Sequence, residues 1–275
     1  MNAPKRLGVF AAFLAVVFGA AFGVGRLAGP DAVAESRPAG EGHSGGGGHG
    51  GEPSGTGAYA IRLDPYTSGS LSFTVVGPDG RVVTGFEPVH EKPLHLIVVR
   101  RDLSGFQHVH PDLAADGTWR VPLALTDGGP WRAYADFTAT GGPATVLATD
   151  LEVPGVQHSA APLPAPITTT VVDGYTVRLD LHDGVSFGVS LDGRPVTDLQ
   201  PYLGAAGHLV AIAQQDLAYL HVHPTAPATR GPDVGFAVEG AGSGTHRLYF
   251  QFRHRDVVHT AEFTVTGIGG GHAHN

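Results

Sequence analysis

His95 to Pro111 reads HLIVVRRDLSGFQHVHP, and His208 to Pro224 reads HLVAIAQQDLAYLHVHP. Both stretches are seventeen residues long, open on His and close on His-Val-His-Pro. Each carries Asp-Leu at its middle, with Asp102 and Asp216 one place apart relative to the first His. A phrase of this length repeated within 275 residues marks a duplicated domain. The three histidines persist between the copies while the other polar residues differ. As a β-hairpin turning near Asp102-Leu103, the first phrase sets His95 opposite His110 and Ile97 opposite His108. Side chains alternate between the faces of a strand, so His95, His108 and His110 share one face. The same reasoning groups His208, His221 and His223.

Working outward, the surrounding sequence is a series of short β-like runs. Tyr59 to Leu63, Ser70 to Val76, Leu94 to Arg100, Phe106 to His110, Thr118 to Leu125, Trp131 to Phe137 and Thr145 to Val153 form the first set. Gly77-Pro78-Asp79-Gly80 and Asp127-Gly128-Gly129-Pro130 are turn sequences between them. The second set follows the same order: Tyr175 to Leu181, Val185 to Leu191, Leu209 to Ala213 and Tyr219 to His223. The likeness resumes where Gly129 to Tyr134 (GPWRAY) matches Gly244 to Tyr249 (GTHRLY). About seven such strands per repeat is the signature of an immunoglobulin-like sandwich. The expected fold is therefore all-β: two tandem immunoglobulin-like β-sandwich domains behind an N-terminal transmembrane or signal helix. Trp119 and Trp131 are expected in the sandwich core. The boundaries expected are 1–29 for the signal or membrane anchor, 30–57 for a flexible Gly/His-rich linker and 58–153 for the first sandwich. A Pro/Ala linker over 154–170, a second sandwich over 171–267 and a Gly/His tail over 268–275 complete the chain.

Composition agrees with this reading. Gly (41) and Pro (21) are abundant and charged residues make up only 15%, which suits turns and short strands better than helices. A formal charge of −8 argues against a nucleic-acid partner, which calls for a basic face. Cysteine is absent and Met1 is the one methionine, so disulfides, thiolate sites and thioether-rich copper(I) sites are excluded. Any metal must be held by imidazole, carboxylate or backbone oxygen.

Lys5 and Arg6 precede an apolar run from Leu7 to Gly25 that carries no charge until Arg26. The run is long enough to span a bilayer, and the basic flank sets the N-terminus inside. Residues 7–25 are thus an uncleaved single-pass anchor or a cleaved signal peptide with Ala32-Val33-Ala34 as the cleavage site. Both readings place the bulk of the chain outside the cytoplasm, membrane-anchored or secreted.

Three imidazoles from two neighbouring strands form a ligand set suited to copper(II) or zinc(II). The expected metal residues are His95, His108 and His110 in the first repeat and His208, His221 and His223 in the second. Ligation needs neutral imidazole, so an ordinary histidine would lose its metal as the pH falls through about 6.5. The competing reading is structural. Ile97, Val99 and Phe106 share the face of the first trio, as do Val210, Ile212 and Tyr219 the second. The histidines would then cap an apolar layer and hydrogen-bond to carbonyls or to one another. No fourth ligand is common to both copies, since Asp112 follows one phrase and Thr225 the other. His246, His254 and His259 read as packing or surface residues, and His90 has Leu203 as its counterpart. His43, His49, His272 and His274 lie in Gly-rich tracts suited to weak, adventitious metal capture. No catalytic residues and no enzyme activity are expected: there is no G-x-S-x-G turn, and no Glu follows His-x-His as cupin oxygenases require.

The repeated H-x₁₂-H-x-H-P phrase behind an export signal resembles poorly characterised exported proteins of actinobacteria. These are similar to the extracytoplasmic CopC-like and YtkA-like β-sandwich modules associated with copper handling. The resemblance implies an immunoglobulin-like fold outside the membrane and copper binding. The chain departs from CopC-like carriers in lacking both a ligand His at the start of the domain and a Met-rich site.

Overall fold

The computed structural model describes residues 58–67, 69–182, 184–226, 230–240 and 242–268. The expected anchor over 7–25, the linker over 30–57 and the tail histidines lie outside the described residues. Among those residues there is no helix, and so none long and apolar enough to cross a membrane.

The first repeat contains β1 (Ala60–Leu63), β2 (Ser70–Val76), β3 (Phe86–Glu87), β4 (Leu94–Arg100), β5 (Gln107–Val109), β6 (Asp112–Leu113), β7 (Thr118–Pro122), β8 (Gly129–Ala139) and β9 (Ala144–Val153). One sheet has the order β1-β2-β7-β6. In the other, β8 pairs with β9 on one side and with β4 on the other, and β4 pairs in turn with β5. The inward residues alternate along each strand: Leu71, Phe73 and Val75 of β2 and Trp119 and Val121 of β7 meet Leu94, Leu96 and Val98 of β4. Trp131 and Phe137 of β8 complete this core, and both tryptophans are buried as expected.

The second repeat contains β10 (Thr169–Val172), β11 (Tyr175–Asp180), β12 (Val185–Leu191), β13 (Arg194–Pro195), β14 (His208–Ala213), β15 (Tyr219–Pro224), β16 (Asp233–Glu239), β17 (Thr245–His254) and β18 (Val257–Thr266). β10 begins inside the stretch read from sequence as linker. The strand order is β10-β11-β12-β16-β15-β14-β17-β18, because β15 pairs with β14 at its start and with β16 at its end. Its core gathers Val177, Phe187 and Phe236 against Leu209, Phe250 and Phe263.

β4 and β14 are buried on both faces, which explains their unbroken apolar runs. Leu94, Leu96 and Val98 point into the first sandwich, whereas Ile97 and Val99 point out of it. The outer face of β4 meets that of β14 in a third apolar cluster. Ile97, Val99, Leu103 and Tyr134 come from the first repeat, and Val210, Ile212, Leu217 and Tyr249 from the second. These are equivalent positions, so the repeats face each other about a pseudo-two-fold axis. The polar contacts are reciprocal too. Tyr134 donates its hydroxyl to the carbonyl of Leu217 (2.7 Å), and Tyr249 donates to that of Leu103 (2.5 Å). Both leucines sit in the left-handed region, at φ 63° and 57°, unusual for a residue with a side chain. Phe106 stacks on Tyr249 (4.1 Å between ring centres), and its counterpart Tyr219 packs on Tyr134 (5.6 Å).

The connecting segment is docked on the first repeat. Asp102 accepts hydrogen bonds from His158 Nε2 (2.9 Å) and the amide of Ala161 (3.1 Å), and Leu163 packs against the shared apolar cluster.

Candidate metal centre

The first histidine phrase folds with the register read from its sequence: Ile97 lies opposite His108 and Leu96 opposite Val109. His95, His108 and His110 therefore meet on the outer face of the first repeat, at the edge of the apolar cluster shared with the second. One ring nitrogen from each lies within 4.8 Å of the other two. His95 Nδ1 is 3.0 Å from His108 Nε2 and 3.2 Å from His110 Nε2.

The outer nitrogens decide what the inner ones can do. His95 Nε2 lies 2.9 Å from the carbonyl of Val89, and His108 Nδ1 lies 2.7 Å from Gln251 Oε1. Both oxygens can only accept, so both outer nitrogens carry the proton. A neutral imidazole has a single N–H, which leaves His95 Nδ1 and His108 Nε2 as lone pairs facing each other. His110 can donate one proton into this space, and that cannot satisfy both. A cation can. With metal–nitrogen bonds of about 2.0–2.1 Å and angles from square to tetrahedral, ligand nitrogens stand roughly 2.8–3.4 Å apart. The separations of His95 Nδ1 from His108 Nε2 and from His110 Nε2 both fall within that range.

Burial keeps the trio neutral. It lowers His108 to about 3, the neighbouring His95 and His110 adding to the effect against the Gln251 hydrogen bond. It lowers His110 to about 4, with His95 and Lys92 contributing. Burial also lowers His95, partly opposed by the Val89 carbonyl and the Asp136 carboxylate. The pH window read from the ordinary histidine value is thus displaced downward.

The second phrase is not gathered in the same way. β15 pairs with β14 only at Tyr219 and Leu220, then crosses to β16, where His221 lies opposite Glu239. His221 and His223 stay together, with ring centres 4.4 Å apart, but leave His208 behind. The expected convergence of His208, His221 and His223 is absent among the described residues. His208 instead packs on the first trio, parallel to His95 (5.6 Å, 8°) and 4.8 Å from His108. Gly207, just before it, packs tightly on β17, where a Cβ would meet the Phe250 ring at 2.7 Å and the Gln251 carbonyl at 2.8 Å.

Three participants escaped the sequence reading. Gln251 and Asp136 occupy equivalent positions, opposite His208 on β17 and opposite His95 on β8. Burial raises Asp136, against the pull of His95, His221 and His90. His90, in a left-handed turn at φ 48°, packs 6.0 Å from His95 and 5.9 Å from His208. For Gln251 and Asp136 the one available signal was register, since each faces a first histidine from the next strand; His90 reaches the cluster from a turn. His246, His254 and His259 are buried packing residues. His254 bridges Tyr175 (2.8 Å) and Asp198 (3.2 Å), and His259 holds Asp173 (2.7 Å).

Each repeat matches one family, described as "Domain of unknown function (DUF8832)", over residues 58–155 and 169–268. The chain belongs to this family. No curated protein matches it. Among solved structures the chain is similar to the chicken CNTN1 FN1-FN3 domains, at 8% identity and a TM-score of 0.21. That likeness covers 76% of this chain and spans 66% of the other, and at such a score the fold rests on the strands described above.

Proposed function

We propose that this protein is an extracytoplasmic binding module for a divalent first-row transition metal, copper(II) or zinc(II), anchored through residues 7–25. Its frame would be a pair of immunoglobulin-like sandwiches, the arrangement implied by the resemblance to CopC-like and YtkA-like modules. One observation carries the reading. His95 Nδ1 and His108 Nε2 face each other at 3.0 Å while both outer nitrogens are committed as donors. Two inward lone pairs this close repel each other unless a proton or a metal ion engages both, and burial disfavours the extra proton. Neutral imidazole is the form that ligates, and burial holds the trio in it.

The structural reading has its own support: His95 ties down the Val89 turn, and His108 ties the first repeat to Gln251. Metal-dependent stability separates the two. The test uses the full chain with His43, His49, His272 and His274 replaced by Ala, washed with chelator. Zn(II) or Cu(II) at a hundred times its Kd should stabilise it by about 2.7 kcal/mol at neutral pH. His108→Ala with His110→Ala should abolish that gain. A chain whose unfolding ignores both metals contradicts the proposal and leaves the histidines as structural.

A further inference from the structure

We infer that the ion is shared between the repeats, with His208 as a fourth imidazole and Gln251 as the positioning residue for His108. This rests on the reading of the first trio as a metal site and adds what the second repeat contributes.

Three observations carry it. First, His208 is as near to His108 as the trio's members are to one another, and only a little farther from His95. Its ring centre stands 4.8 Å from that of His108 and 5.6 Å from that of His95, against 4.9–5.2 Å within the trio. Second, His208 Nε2 is buried and has no hydrogen-bond partner among the described residues. A buried polar nitrogen left in this state costs about 1–3 kcal/mol, which ligation would offset. His208 is not among the three residues whose ligand atoms lie within 4.8 Å of one another. Bringing Nε2 onto the ion therefore requires its ring to turn. Third, Gln251 has only one useful orientation. Its Nε2 donates to Thr260 Oγ1 (3.3 Å), which turns Oε1 toward His108 Nδ1 at 2.7 Å. That contact fixes the tautomer in which His108 Nε2 is a ligand, the usual task of a group behind a metal-bound histidine.

The alternative by symmetry is a second ion on His208, His221 and His223. The crossing of β15 to β16 separates those residues, so the shared site takes one ion rather than two. Docking of the repeats and ion binding are then linked, since residues of the second repeat act on the ion and on its ligand.

The test is Cu(II) titration of the full chain lacking its four tract histidines, read by calorimetry and by the nitrogen hyperfine pattern in electron paramagnetic resonance. One ion per chain with four coordinated nitrogens is the expected result, and it needs no variant in the site. His208→Ala should reduce the count to three nitrogens. Gln251→Leu should weaken binding by about 10- to 100-fold, the usual loss for such a partner, and Gln251→Glu, which still accepts from His108, should restore it. His221→Ala with His223→Ala should change neither count nor affinity. Three nitrogens in the unsubstituted chain, or a second ion lost with His221 and His223, overturns the shared site while leaving the trio intact. No bound ion at all refutes the trio itself, a different failure.

Discussion

The two His-Val-His-Pro hairpins begin from one phrase and finish in different surroundings. In the first, the returning strand β5 stays on β4 through Val109, and the three imidazoles meet. In the second, the returning strand β15 abandons β14 after Leu220 and joins β16, carrying His221 and His223 away from His208. Spacing along a chain sets which face a side chain takes, but the partner strand sets which residues it meets. The second difference lies across the axis. Gln251, behind His108, and Asp136, near His221, occupy equivalent positions, one a neutral amide and the other a half-buried carboxyl that hydrogen-bonds with Tyr219. Duplication supplied two copies of a histidine trio, and divergence of their neighbours left one gathered.

The largest expected effect is on pH. His108 and His110 fall to about 3 and about 4 in the folded protein, from an ordinary value of 6.5. The unfolded chain takes up protons first as the pH drops, so metal-free stability is full above about 6.5. Below that it falls by about 1.4 kcal/mol per pH unit for each group, until the folded values are reached. Urea unfolding at several pH values should show this slope, and His108→Ala with His110→Ala should make it shallower, the buried His95 and His208 supplying what remains. His221→Ala with His223→Ala should leave that steepness in place. Metal binding to the folded protein should survive to about pH 4 rather than fade near 6.5.

Next comes the shared apolar cluster, where the repeats are alike. Ile97→Ala removes a fully buried side chain at the interface and should cost about 2–5 kcal/mol. Denaturant unfolding measures it. A cost below about 1 kcal/mol would mean that the outer face of β4 is not packed against β14.

The hairpin turns are unlike. Burial alone would raise the Asp102 carboxyl, but hydrogen bonds from Ser104, Ala161 and His158 hold it at about 2. Its counterpart Asp216 is exposed and, among the described residues, caps the amide of Ala218 alone (3.0 Å). Asp102→Asn should therefore cost about 2 kcal/mol at pH 7, and the stabilisation should vanish as the pH falls from about 4 to about 2. Asp216→Asn should cost less than about 0.5 kcal/mol. Equal losses would contradict the docked connection. Smallest is the reciprocal pair. Tyr134→Phe and Tyr249→Phe each remove one buried hydrogen bond and should cost about 1 kcal/mol apiece. Unequal values would show that the pseudo-symmetry is geometric but not energetic.

Much of this was legible in the sequence, and the rest fails for identifiable reasons. The duplication, the all-β character and the gathering of His95, His108 and His110 follow from alternation and from the pairing of Ile97 with His108. The face-to-face docking left a trace that alternation alone does not interpret. HLIVVR and HLVAIA are apolar at both odd and even positions, as a strand covered on both faces must be. Nothing in His221-Val222-His223-Pro224 announces that β15 changes partner, because that choice depends on where β16 lies. Gln251 and Asp136 are remote from either phrase, and only the finished register brings them beside the histidines.

The central claim is that one trio, and not its copy, holds an ion at the junction of the repeats. Anomalous diffraction from crystals grown with Zn(II) addresses it directly. The account predicts one zinc peak per chain among the described residues, bonded to His95 Nδ1, His108 Nε2 and His110 Nε2, with His208 turned toward it. Crystals with no peak there, or with zinc on His221 and His223 alone, would contradict it.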